Sequence, residues 1–391
     1  MLGLRLRQVR LARCLTLETL AAELGGIVTK QALSKYEKGK ARPSLVVLNK
    51  LASILDVKTA YLWSEPSFQV RFIAYRKGSG LRNREQEKIE CLVREGMEER
   101  LRIQMLTAQL NGLKLPIQSL KVKAIEDAEV AAERLRSEWN LGLDPLASVT
   151  GVLEEHSIHV IEINAPEKFD GISAVAYAPK KRVVSALVVT KRGLQGERQR
   201  LNLAHELGHL FLKVSSKLNE EKAAFRFGAA FLAPKEIVNK EVGAKRSFIQ
   251  PEELFLLKQR FGLSVQALLY RLRDLEIITP SYYEKWCMDI NRLGWKKEEP
   301  NGLPPEHPSW FRQNVLRAFS TGLLTKEEAE GMIGKLDRGK QPLSLIERRA
   351  FLKLPLEERR RKIAEQAKQM SRFYEQRSDW KELQGGDIYE Y

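Results

Sequence analysis

The segment ERQRLNLAHELGHLFL, residues 197–212, brings two histidines and a glutamate together in the order His205, Glu206, His209. Residues four apart lie one turn apart on the same face of a helix, so both imidazoles can grip one Zn2+. Glu206 then stands beside the open coordination position, where it can take a proton from an attacking water and later deliver it to a leaving amine. A catalytic zinc site takes three protein ligands and keeps one position open, so a nearby carboxylate should complete the set. A second helix with two acids at its start follows at residues 219–232. Glu221 is the first choice there and Glu220 the fallback. His156, His159 and His307 have no spacing that ties them to this group. Tyr177, His156, Arg226 and Tyr282 are chemically able to stabilise an oxyanion, but their spacing assigns none of them.

A different chemistry is written near the N-terminus, in VTKQALSKYEKGKARPS, residues 28–44. Thr29 can cap a helix whose first turn presents Lys30 and Gln31, as a major-groove helix requires. Glutamine suits a bidentate contact to adenine, while Lys30, Lys35, Lys38, Lys40 and Arg42 suit phosphates. Leu33 and Tyr36 would face inward. The first 66 residues hold 11 Lys or Arg against 5 Asp or Glu, a balance that favours operator DNA as a partner.

These residues need elements to hold them. Leu4, Val9, Leu20, Leu24, Leu33, Leu48, Leu51, Leu55 and Leu62 recur at helical spacing, so residues 1–66 read as an all-α domain of five short helices. Residues 67–120 read as a linker, with FQVRFIAYRKGSG ending in a Gly/Ser hinge, followed by one long charged helix from Arg84 to Gln109 that suits a neighbouring surface or a homodimer contact. Residues 121–280 carry a helix over 121–145, a helical stretch over 145–156, three apolar, β-branched strands (HVIEI, ISAVAYA and RVVSALVVT) and then a run of helices. The predicted fold class is therefore α+β and predominantly helical. A helical extension (281–340) and an amphipathic helix with an acidic tail (341–391) complete the expected division.

Composition limits the alternatives. The chain has 391 residues, enough for two to four domains, with 43% hydrophobic and 30% charged residues and a formal net charge of +16. Such a charge suits polyanions. No apolar run reaches the ~18 residues of a membrane span, and arginines interrupt the leucines of MLGLRLRQVRLARC, so no secretory signal is expected. Cys14, Cys91 and Cys287 lie far apart and suggest neither disulfides nor a thiolate metal site. The cytoplasm is the expected compartment.

Residues 1–65 resemble the Cro/repressor (XRE) helix-turn-helix family in length, order and turn residues. FDGISA (169–174), ERQRLNLAHELGHLFL (197–212), EKAAFRFGAAFLAP (221–234) and RFGLSVQALLYRLRDLEII (260–278) together resemble the ImmA/IrrE metallopeptidases over residues 121–280. That resemblance implies a zincin-like domain with His205, His209 and Glu221 as zinc ligands and Glu206 as general base. It also implies a helix-turn-helix repressor as the protein substrate, with cleavage relieving repression. The sequence departs from the family at Phe225, where an Asn would hold a ligand imidazole from the outer shell. Asn202 or a backbone carbonyl could substitute. The alternative expectation is a noncatalytic regulator in a prophage or toxin–antitoxin setting, whose metal domain senses a signal or binds a partner. Residues from FLKLPLEERRRKIAEQAKQMSRFYE to the terminal DIYEY are similar to small bacterial antitoxin-like proteins, and the alternative, slightly favoured, is a helix packing on its own peptidase domain.

Overall fold

The computed structural model describes residues 2–64, 68–74, 82–107, 115–178, 182–336, 351 and 354–375. It divides into two compact units, Met1–Ala329 and Glu330–Tyr391. In the first unit the chain forms α1 (Leu2–Ala12), α2 (Leu17–Glu23), α3 (Lys30–Glu37), α4 (Leu45–Ile54), α5 (Thr59–Trp63), β1 (Gln69–Ala74), α6 (Asn83–Leu106), β2 (Leu120–Val122), α7 (Asp127–Glu138) and α8 (Val149–Glu155). Then come β3 (Ile158–Ile163), β4 (Gly171–Ala178), β5 (Arg182–Lys191), α9 (Gly196–Phe211), β6 (Leu212–Val214), α10 (Glu220–Leu232), α11 (Lys235–Val242), α12 (Pro251–Phe261), α13 (Val265–Asp274), α14 (Pro280–Arg292) and α15 (Trp310–Ser320). Helix α16 (Lys326–Ile333) ends in the second unit, where α17 (Leu356–Glu375) leaves Ile363 exposed. The acidic tail lies outside the described residues. The α+β, mainly helical class expected from the sequence is the class observed.

The first five helices enclose their own core of Leu6, Val9, Leu20, Leu24, Leu33, Leu48, Leu51, Leu55 and Leu62. The core face of α1 is set by Leu2 and Leu6, leaving Leu4 67% exposed instead of inward. Thr16, Thr29 and Ser44 cap α2, α3 and α4 with their hydroxyls, each taking up one of the amide groups left unbonded at a helix start. Gly3 is required where α1 crosses α3, since a Cβ there would sit 2.4 Å from the Tyr36 carbonyl oxygen.

The main sheet has the order β1-β4-β5-β3, with β3 and β5 parallel and the other pairs antiparallel. Along β5, Leu187 and Val189 face one side, while Ala186 and Val188 face the other. The first side packs on Ile89, Val93, Met97 and Leu101 of α6, and the second on Leu203 and Leu207 of α9. This corrects the expected linker: β1 is an edge strand, registered from Gln69↔Tyr177 to Ala74↔Ser173, and α6 is a layer of the domain. The Gly/Ser hinge lies outside the described residues. Lys121 and Val122, expected in a helix, instead form β2, which pairs in parallel with β6. Both strands are three residues long, too short for an alternation to register.

Helix α6 also faces α1. Arg5 donates to Glu98 at 2.7 Å, Arg7 to Glu87 at 2.9 Å and Arg13 to Glu95 at 3.1 Å, and the Tyr61 hydroxyl also donates to Glu98. The loop between α14 and α15, in the Pro/Gly-rich stretch EEPNGLPPEHPSW, carries buried carboxylates into the body. Glu299 meets the fully buried Lys258 ammonium at 2.7 Å, and that ammonium also lies 2.8 Å from Glu197 on α9. Glu306 accepts from Arg200 and from the Thr150 amide. The first turn of α9 is thereby clamped from outside, and a Cβ on Gly196 would collide with the Pro304 carbonyl at 2.3 Å.

Candidate metal centre and DNA-reading face

Helices α9 and α10 pack through small residues. A Cβ on Gly228 would stand 3.0 Å from the His205 amide nitrogen, and one on Gly208 would stand 3.2 Å from the Ala224 Cα. This close approach carries the first turn of α10 to the exposed edge of the two histidines. His205 Nε2 and His209 Nε2 lie 3.0 Å apart. Glu221 Oε2 is 3.4 Å from His205 Nε2, and its Oε1 is 3.6 Å from His209 Nε2. One ligand atom from each of His205, His209 and Glu221 falls within a 4.8 Å cluster. Two imidazole nitrogens and one carboxylate are the number and type of donors that a catalytic zinc takes, so the residues fit that ion.

The two neighbouring acids differ in their placement. Glu220 reaches the opposite ring nitrogen, with its Oε1 3.4 Å from His209 Nδ1, where a carboxylate can fix the ring's tautomer and orientation. His205 has no such support. Its Nδ1 is buried without a hydrogen-bond partner among the described residues, and the Phe225 ring lies against it at 4.1 Å between centroids. Asn202, expected as a substitute, donates instead to the Asp170 carbonyl at 3.3 Å. It therefore secures the chain entering β4.

Glu206 is buried, 7% exposed, and points at that strand. At Gly171, the first residue of β4, a Cβ would stand 2.7 Å from Glu206 Oε1, so the lack of a side chain there leaves room for that carboxylate. This explains the Gly in FDGISA, a signal visible in the sequence whose purpose was not. Of the four oxyanion candidates, Arg226 is bound to Glu129 and Asp274, Tyr282 to the backbone of Ile249, and the His156 ring stacks on Trp139. Tyr177 is six residues along β4 from Gly171, about 20 Å at the rise of a strand. None is placed at the histidine pair. His159 is fully buried against Trp310, and burial holds its pKa well below the usual imidazole range.

On α3, Thr29, Lys30, Gln31, Lys35 and Lys38 are exposed, as are Lys40 and Arg42 in the turn that follows, while Leu33 is buried and Tyr36 half-buried. Lys30 pairs with Glu18 of α2, and that ammonium pulls the Glu18 carboxyl below its ordinary pKa. The far end of α3 is fixed from beneath: Arg10 of α1 clasps Glu37 with two hydrogen bonds of 2.6 and 2.8 Å, both side chains being buried.

A capped helix-turn-helix is thus joined to a mixed sheet that backs a His-Glu-x-x-His helix. Comparison with known families agrees: residues 6–62 match the helix-turn-helix family, and residues 153–273 match the IrrE N-terminal-like domain. Over 62 residues the chain is 42% identical to the SPbeta prophage-derived uncharacterized HTH-type transcriptional regulator YonR of Bacillus subtilis (strain 168). That similarity covers 16% of this chain and 56% of the relative, so the chain spans about half the length of the curated protein it matches. No helix among the described residues is long and apolar enough to cross a membrane.

Proposed function

We propose that the protein is a DNA-binding regulator whose second domain is a zinc-dependent endopeptidase acting on a helix-turn-helix repressor. The observation that carries this reading is the convergence of His205, His209 and Glu221 with Glu206 between the histidines on the same helix. His205, His209 and Glu221 would hold a zinc ion, which would supply Lewis acidity for amide hydrolysis. Glu206 takes the proton of the attacking water and returns it to the leaving amine, and its burial against Gly171 keeps that carboxylate in one orientation. Glu220 orients His209. Gln31 reads a base, while Lys30, Lys35, Lys38, Lys40 and Arg42 contact phosphates and Thr29 holds the first turn of α3. The test is zinc content and repressor cleavage, measured together for the wild type and for His205→Ala, His209→Ala and Glu221→Ala. Each variant should lose both, and full zinc retention in all three would sink the proposal.

The Nδ1 of His205, which has no hydrogen-bond partner among the described residues, favours a second reading, in which the domain binds metal to sense a signal and does not cut. Zinc-loaded wild-type protein that leaves every candidate repressor intact under varied inducing conditions would make it the better reading.

A further inference from the structure

Beside the metal centre, α9, α10, α13 and α14 surround a cavity of about 370 Å³, within the size range of ligand sites. Its walls are mostly apolar: Leu201, Phe225, Ala229, Ala267, Tyr270 and Tyr283. Phe225 and Tyr270 are each 39% exposed, a large aromatic area to leave open on one surface. The far wall is fixed in advance, because the Arg273 guanidinium lies 4.0 Å from the Tyr270 ring centre and 4.8 Å from that of Tyr283. The near wall is Phe225, one turn after Glu221, whose ring rests 4.1 Å from that of His205. A single ring therefore separates the cavity from the candidate zinc ligands. Leu201, one turn before His205, extends the same apolar surface along α9.

We propose that this cavity is the specificity pocket of the peptidase and takes a large apolar side chain, aliphatic or aromatic, adjacent to the bond being cut. The proposal rests on the metallopeptidase reading above. Phe225 lies against His205, so a residue next to a carbonyl held at the His205–Glu221 cluster can reach across that ring, and the surface beyond it is apolar and concave. The Ser264 hydroxyl is engaged with the Ala267 amide at 3.2 Å, which leaves Lys222 and Gln266 as the remaining polar residues in a lining otherwise apolar or aromatic. Phe225 thus has a use of its own. It gives up an outer-shell contact to His205 and forms the near wall of a side-chain pocket.

The test uses the zinc-loaded full chain and two metal-binding probes, N-acetyl-phenylalanine hydroxamate and N-acetyl-glycine hydroxamate, titrated by calorimetry. Wild type should favour the phenylalanine probe by about tenfold or more, the scale of apolar pocket discrimination. Ala267→Trp, which fills the cavity, and Tyr270→Ser, which removes its outer wall, should each reduce that ratio towards unity while zinc content and glycine-probe affinity hold. An unchanged ratio in both variants overturns the pocket. If the wild type holds no zinc, the metallopeptidase reading fails separately, and N-acetyl-phenylalanine amide on the metal-free chain then judges the cavity. Binding lost in Ala267→Trp keeps it as an apolar side-chain site, and equal binding in both proteins overturns it.

Discussion

Helices α3 and α9 both carry a short run of functional side chains, yet they are built in opposite ways. On α3 the polar groups face outward and each can act alone: the Thr29 cap and the proposed base reader and phosphate contacts, held from beneath by Leu33 and the Arg10–Glu37 clasp. On α9 the polar groups face inward, and none can act without atoms brought from α10 or β4. An outward face tolerates loss of one member with a graded effect. An inward cluster behaves as a unit, because each member sets the geometry of the next.

The largest expected effect lies on the inward helix. Glu206→Gln should keep zinc and operator affinity and lose ~10² to 10⁴-fold in repressor cleavage, the usual contribution of a general base. Cleavage at the wild-type rate would remove Glu206 from the chemistry. On the outward helix, Glu37→Ala leaves Arg10 buried without its carboxylate and should destabilise the N-terminal helices by ~3 to 5 kcal/mol. Hydrogen exchange would detect this in residues 2–64, with metal binding intact; unchanged protection there would show that the clasp contributes little. The two imidazoles allow a finer comparison. Phe225→Asn gives His205 an outer-shell partner and Glu220→Gln weakens that of His209, so zinc affinity should rise in the first and fall in the second by ~10-fold to 100-fold. Competition against a chelator measures both, and shifts of the same sign would refute the difference drawn between the rings. Smallest are the effects on DNA. Gln31→Ala should cost ~1–3 kcal/mol of discrimination between operator and random sequence, whereas Lys38→Ala should weaken both equally and reduce the salt slope by about 1.

The same contrast governs what could be read from sequence. The helix-turn-helix was legible almost residue by residue because caps, turns and helical periodicity are local, and Leu4 was misplaced only because Leu2 and Leu6 offer an equally apolar face. The His-Glu-x-x-His helix and the three central strands were legible for the same reason. What sequence could not supply was long-range. Residues 68–74 alternate no differently from an extended linker, and only pairing with β4 makes them a strand. The separate positions of Glu220 and Glu221 depend on how α10 meets α9, and the engagement of Asn202 with Asp170 depends on the path of the chain into β4. The buried carboxylates of residues 294–309 sit in a stretch whose prolines and glycines suggest only a loop.

Helix α6 has a consequence for energetics. One flank lies on the sheet whose β4 begins at Gly171 beneath Glu206, and the other is gripped by the arginines of α1. The helix-turn-helix and the sheet of the second domain are therefore held on two flanks of one rod. Linkage requires that any factor by which a bound peptide changes operator affinity equals the factor by which operator changes peptide affinity. A single titration, performed in either direction, measures the whole of that conversation.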